Sequence, residues 1–214
     1  MEMNKMLNKY SVDKLMNEKL LDELETKGAI IIKNINPESI DRIYRESIKF
    51  FNSSLRRKCF LEKEFGNGYS QDNLNRSVRE MFDFSNDYDA EEEKELGLKQ
   101  NFPALELALA NLYSHWYPLC HGLFKGSGQG FLNVFKYHAN NKIKFRIPEH
   151  TDNDYIVSFV SKGEPLEIFI DRWYIPQLND GEALLFIPRI KHRVSNKLNN
   201  DRYAITFAYP QTPV

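Results

Sequence analysis

Apolar positions recur every three or four residues along much of the first half of the chain and gather into short β-rich runs in the second. Ser11 reads as the cap of a helix with Leu15, Met16, Leu20, Leu21 and Leu24 on one face, and Gly28 as its end. Ala29-Ile30-Ile31-Ile32 reads as a short buried strand. A second helix opens at Asn36-Pro37, with proline in the first turn where its missing N–H is harmless, and carries the stripe Ile40, Ile43, Tyr44, Ile48 and Phe51. A long apolar helix follows from Pro103 to about Phe124, broken by the glycines at 126–130. Strands are then expected at Phe131–Tyr137, Tyr155–Val160, Leu166–Ile170, Ala183–Ile187 and Tyr203–Tyr209, separated by turn residues. Closely spaced short strands of this kind predict an antiparallel sandwich or barrel. The expected architecture is one domain over 1–214, mainly helical over 1–130 and β over 131–214.

The 214 residues suit a single domain, and 42% hydrophobic content supports a sizeable core. A formal net charge of −1 excludes the basic footprint of a dedicated nucleic-acid binder. No apolar stretch nears the roughly 20 residues needed to cross a bilayer. The first six residues lack the apolar region of a secretory signal. Two cysteines, Cys59 and Cys120, cannot build a disulfide framework and suit a reducing, cytoplasmic setting. The acidic run from Asp89 to Glu95 reads as a solvated segment.

All five histidines lie in the last hundred residues: His115, His121, His138, His150 and His192. In a strand, residues i and i+2 share a face, so His150 and Asp152 of His150-Thr151-Asp152 can hold one metal together. By chance a His-x-Asp tripeptide occurs about 0.3 times in a chain of this composition, so its neighbours carry the weight. His192, on a later expected strand, is the candidate third ligand. Two imidazoles and one carboxylate on one face of a six-coordinate ion make the facial triad of non-heme Fe(II) oxygenases. Ten residues on, Arg202 heads the final strand. A guanidinium inside a barrel needs an anionic partner, and a dicarboxylate cosubstrate gripped by its two-pronged geometry would provide one.

Ile147-Pro148-Glu149-His150-Thr151-Asp152, His192-Arg193-Val194 and Arg202 together resemble the 2-oxoglutarate/Fe(II)-dependent oxygenases, in the isopenicillin N synthase-like branch. Weaker similarity runs through Gly28–Asn34, Phe50-Phe51 with Leu55–Phe60, Gly68-Tyr69, Arg79–Phe84, Trp173 with Pro176, and Asp180–Leu184. The resemblance implies a double-stranded β-helix (jelly roll, cupin-like) core with helices outside. It assigns His150, Asp152 and His192 to Fe(II), and Arg202 to the distal carboxylate of 2-oxoglutarate. Tyr137 falls where members carry a strand tyrosine that also reaches the cosubstrate. The implied activity is oxidation of a small molecule by O2 (hydroxylation, desaturation or cyclisation), with succinate and CO2 as co-products.

Three positions depart from the family pattern. Ala204 stands where members place a serine two residues after the arginine; Thr206, on the same strand face, or Tyr137 is the candidate replacement. The interval from His150 to His192 is 42 residues, shorter than is usual in this branch. Asn133 and Phe135 stand where members show Arg and Asn. Two alternatives stay open: an iron oxidase of the same fold that does not use 2-oxoglutarate, and a non-catalytic jelly-roll binding module. His115, His121, His138, Cys59, Cys120, Trp116 and Trp173 read as structural. Arg146 and Arg172, like Lys142, Lys144 and Lys197, read as solvated charges. Residues 66–89 are a candidate lid over the site.

Overall fold

The computed structural model describes residues 7–14, 18–54, 68–74, 77–85, 98–124, 129–139, 145–163, 165–195 and 200–210. Leu15, Met16, residues 55–60 with Cys59, Gly66, the acidic run 89–95, residues 126–128, Lys142, Lys144, Lys197 and the side chain of Arg146 lie outside the described residues.

The central strands of the larger sheet are buried along almost their whole length, as suits a sheet covered on both faces. Its strands are β1 (Lys9–Ser11), β2 (Ala29–Lys33), β3 (Gly68–Leu74), β4 (Ser77–Phe84), β5 (Phe131–Tyr137), β7 (Asp154–Phe159), β10 (Ala183–Phe186) and β12 (Arg202–Pro210), in the order β1-β2-β10-β7-β12-β5-β4-β3. The smaller sheet runs β6 (Phe145–His150), β11 (His192–Ser195), β8 (Leu166–Phe169), β9 (Trp173–Tyr174).

One face of the larger sheet is covered by helices. Helix α2 (Pro37–Phe51) is capped by Asn36, whose side chain accepts from the Glu38 N–H at 3.0 Å, and it buries Ile40, Ile43, Tyr44, Phe50 and Phe51. After the short α3 (Leu98–Asn101), helix α4 (Pro103–Phe124) lays Tyr113 against Phe84 and Phe207, and Trp116 edge-on to Phe159. Burying each such side chain contributes about 1.5–3 kcal/mol. The opposite sheet face lines a cavity shared with the smaller sheet: Arg79, Met81 and Asp83 of β4, Asn133, Phe135 and Tyr137 of β5, and Arg202, Ala204 and Thr206 of β12. The strand period of two separates these faces.

The mainly helical first 130 residues expected from the sequence are corrected. β1 to β4 all come from that part and join the larger sheet, and the helices cluster around its middle. Ser11 is the last residue of β1 and is followed directly by a 3-10 turn (Val12–Lys14), and α1 is described over Glu18–Lys27. β1 is only three residues long and exists through its parallel pairing with β2. Gly28 does end α1, at φ +81°, with its N–H bonded to the Leu24 carbonyl at 2.7 Å. The stretch expected as a lid is sheet in its described part: β3 and β4 pair antiparallel, and β4 docks on β5. Among the described residues, no helix is long and apolar enough to cross a membrane.

Candidate metal centre

His150 is the last residue of β6 and His192 the first of β11, and the two are direct cross-strand partners. Their ring centroids stand 4.1 Å apart. Asp152 lies just beyond β6, where the chain bends toward β7. The shared strand face expected to align it with His150 is therefore not what brings it in; the bend does. Its Oδ2 is 3.3 Å from His192 Nε2 and its Oδ1 3.7 Å from His150 Nε2. One ligand atom from each residue lies within 4.8 Å of the others, so three groups distant in sequence meet at one point.

The histidines are aimed by the same device. Nδ1 of His150 contacts the Pro148 carbonyl at 2.8 Å, and Nδ1 of His192 contacts the Ile190 carbonyl at 3.1 Å. A carbonyl only accepts, so each Nδ1 carries a hydrogen and each ring turns its Nε2 inward. Both Nε2 atoms then face the Asp152 carboxylate, and in the neutral form of the rings the three would offer a cation two nitrogen lone pairs and a carboxylate oxygen. Two nitrogens and one oxygen suit Fe(II), with open positions left on the far side.

Burial lowers the His150 pKa, reinforced by the neighbouring His192 and opposed by Pro148 and Asp152. Burial pushes the Asp152 carboxyl up, but hydrogen bonding and charge from His192, with the charges of His150 and Arg79, hold it below its ordinary value. Burial, then Asp152, raises Asp154.

The triad opens into a cavity of about 300 Å³. Arg202, 2% exposed, is the cross-strand partner of Tyr137, with its guanidinium 5.2 Å from that ring's centroid. Gly163 supports it from outside at φ +105°: a Cβ there would press on Arg202 at 3.2–3.4 Å. Ala204 faces the same cavity with no hydroxyl to offer. Thr206 also faces it, but its hydroxyl donates to Asn133 Oδ1 at 3.2 Å.

The remaining candidates sit elsewhere. His138 contacts Glu80 at 2.7 Å, His121 contacts the Tyr209 hydroxyl at 2.9 Å, and His115 lies edge-on to Trp116. Trp116 is core, Trp173 lies beneath Arg193, and Arg172 reaches the Tyr174 hydroxyl. Cys120 is buried, which pushes its thiol pKa up. The sequence reading missed Arg79, Asp83 and Ser158 as cavity residues. The available signal was the spacing of Phe82 and Phe84 at i and i+2, which places Met81 and Asp83 together on the other face of a strand.

No family model matches the chain, and no curated protein matches it either. Solved structures do. The dioxygenase for auxin oxidation of rice aligns over 97% of this chain and 86% of its own, at TM-score 0.75 and 12% identity. Its Arabidopsis thaliana counterpart, solved with 2-oxoglutarate, aligns over 97% and 93%, at TM-score 0.72 and 16% identity. A full-length Neurospora crassa protein, solved with alpha-KG and thymine, aligns over 95% and 85%, at TM-score 0.71 and 14% identity. At such identities the likeness shows the fold. This chain has the jelly-roll-like fold of those oxygenases.

Proposed function

We propose that this protein is an Fe(II)- and 2-oxoglutarate-dependent oxygenase that oxidises a small molecule by hydroxylation, desaturation or cyclisation. The observation that carries the reading is the convergence of His150, Asp152 and His192 in the wall of a cavity that is also lined by buried Arg202. Fe(II) bound there would supply O2 activation coupled to decarboxylation of 2-oxoglutarate, giving succinate and CO2 and leaving one oxygen equivalent for the substrate.

The chain's own residues would do the rest. His150, Asp152 and His192 would hold the ion through two nitrogens and one carboxylate oxygen. Arg202 takes the distal carboxylate of the cosubstrate through its paired N–H donors, and the adjacent Tyr137 hydroxyl adds a further donor. Phe135, Ile156, Leu166 and Phe186 line the cavity with apolar surface that limits water around the ion. Thr206 contributes a lone pair only, since its hydrogen is committed to Asn133. The absence of a hydroxyl at Ala204 favours, as the second reading, an iron oxidase that dispenses with 2-oxoglutarate. Two thiols without a disulfide framework fit a cytoplasmic setting.

Anaerobic titration with Fe(II) and then 2-oxoglutarate tests this. A visible charge-transfer band that needs both, together with succinate release in air, is the expected result. Iron binding without the band supports the second reading, and absence of iron binding overturns both.

A further inference from the structure

Four polar side chains form one transverse row across the larger sheet. Asp83 of β4 is the register partner of Asn133 of β5, Asn133 of Thr206 of β12, and Thr206 of Ser158 of β7. All four line the cavity that holds the triad. We propose that this row reads the substrate, and that it takes a hydrogen-bond donor group, an amine or amide N–H, in preference to an anion. The assignment rests on the oxygenase reading for the identity of the cavity as the substrate site.

The direction of the hydrogen bonds carries the argument. Thr206 donates to Asn133 Oδ1, and Asn133 Nδ2 donates to Asp83 Oδ1. Every shared proton in this chain points toward Asp83. Thr206 therefore keeps only lone pairs for a ligand, and Asp83 keeps a carboxylate oxygen that only accepts. Ser158 is 7% exposed, faces the cavity, and has no hydrogen-bond partner among the described residues. Its hydroxyl is therefore available to a ligand atom in the cavity.

Charge separates the two ends of the cavity. Arg79, Tyr137 and Arg202 form a parallel row four residues along the strands, roughly 13 Å away on the backbone. That row suits carboxylates. The Asp83 row itself contains no cation, so a substrate anion placed there would meet the Asp83 carboxylate with Arg79, in that parallel row, as the cation acting on it. Burial has already raised Asp83 to about 6, only partly offset by Asn133 and Arg79, and a donor arriving from the substrate relieves that burial.

Calorimetric titration with three probes of one shape, benzylamine, benzamide and benzoate, at pH 7.5 tests the row. It is run on the anaerobic protein carrying Fe(II) and 2-oxoglutarate, and again on metal-free protein. Benzylamine and benzamide are expected to bind at least tenfold more tightly than benzoate. The isosteric Asp83→Asn should erase most of the benzylamine preference, and Ser158→Ala should weaken benzamide several-fold. Failure of both donor probes to bind, equal binding of benzoate, or a preference that survives Asp83→Asn would each overturn the assignment. The visible band of the Fe(II) and 2-oxoglutarate complex reports separately on the metal site. Loss of that band with the probe preference intact would sink the oxygenase reading and leave the donor preference standing.

Discussion

Arg202 and Tyr137 are direct cross-strand partners on β12 and β5, and the guanidinium lies 5.2 Å from the tyrosine ring centroid. The pairing holds a cation against an aromatic face in the wall of the cavity, with Gly163 packed behind it. Arg202→Met should raise the KM for 2-oxoglutarate about 100-fold while leaving Fe(II) binding in place, because removing one partner of a buried hydrogen-bonded charge pair costs about 2–5 kcal/mol. Arg202→Lys keeps the charge but loses the fork, so it should recover only part of that loss. Succinate assays against cosubstrate concentration measure both. An unchanged KM in the Met variant would remove Arg202 from the cosubstrate site.

The triad should also act as a stabilising clip that ties β6 and the turn after it to β11. A divalent ion at 100 times its Kd adds about 2.7 kcal/mol to folding when it binds only the native state. Co(II) should therefore raise the Tm of the wild type clearly, and His192→Ala should abolish that rise while lowering Co(II) affinity more than 100-fold. Differential scanning calorimetry and the Co(II) visible spectrum give the two readings. A Tm rise that persists in His192→Ala would mean the ion binds elsewhere.

Much of this was legible because local pattern and burial agree. Helix α4 carries a continuous apolar sequence over Pro103–Phe124, and β5 and β12 are rich in β-branched and aromatic residues, so each is found within a residue of its expected span. The order His150, Asp152, His192, Arg202 carried the site. What stayed hidden depends on pairing at a distance. β6 contains Pro148, which argues against a strand, and the structure tolerates it because β6 is an edge of the smaller sheet. β3 reads Gly-Tyr-Ser-Gln-Asp-Asn-Leu, too polar to announce itself, and β4 alongside it supplies Asp83. The alternation over Arg79–Phe84 shows that residues divide between two faces. Only the β4–β5 register decides that Arg79, Met81 and Asp83 take the cavity side.

Gly28 joins α1 to β2 at φ +81°, and a Cβ built there would stand 2.4 Å from Ile190 Cδ1. Its carbonyl also accepts from the Ile187 N–H, just after β10 and close to the segment that delivers His192. Gly28→Ala combines a disfavoured backbone conformation with a clash and should cost about 1–3 kcal/mol. Chemical denaturation measures it. Because Ile190 precedes His192 and supplies the carbonyl that orients its ring, Co(II) affinity should fall in the same variant.

Asp83 sets a stability that depends on pH, in a direction opposite to most carboxylates. Burial raises its pKa from 3.8 to about 6, so between these values the folded protein holds a proton that the unfolded chain has lost. Binding more protons when folded means that stability falls as pH rises. The contribution is intact below pH about 4 and gone above pH about 6. Asp83→Asn keeps the shape and the acceptor for Asn133 without the charge. At pH 7.5 it should exceed the wild type in stability by about 2 kcal/mol, a figure reduced for the water that reaches a partly exposed carboxylate. Near pH 4 the two should converge. Urea denaturation across this range gives the difference directly, and a gap that stays constant with pH would show that Asp83 is not the titrating group. The same comparison bears on function. A carboxylate that destabilises the resting protein at neutral pH, yet lines the cavity beside the triad, has its use in what it binds, so donor ligands such as benzylamine should narrow the gap by stabilising the wild type alone.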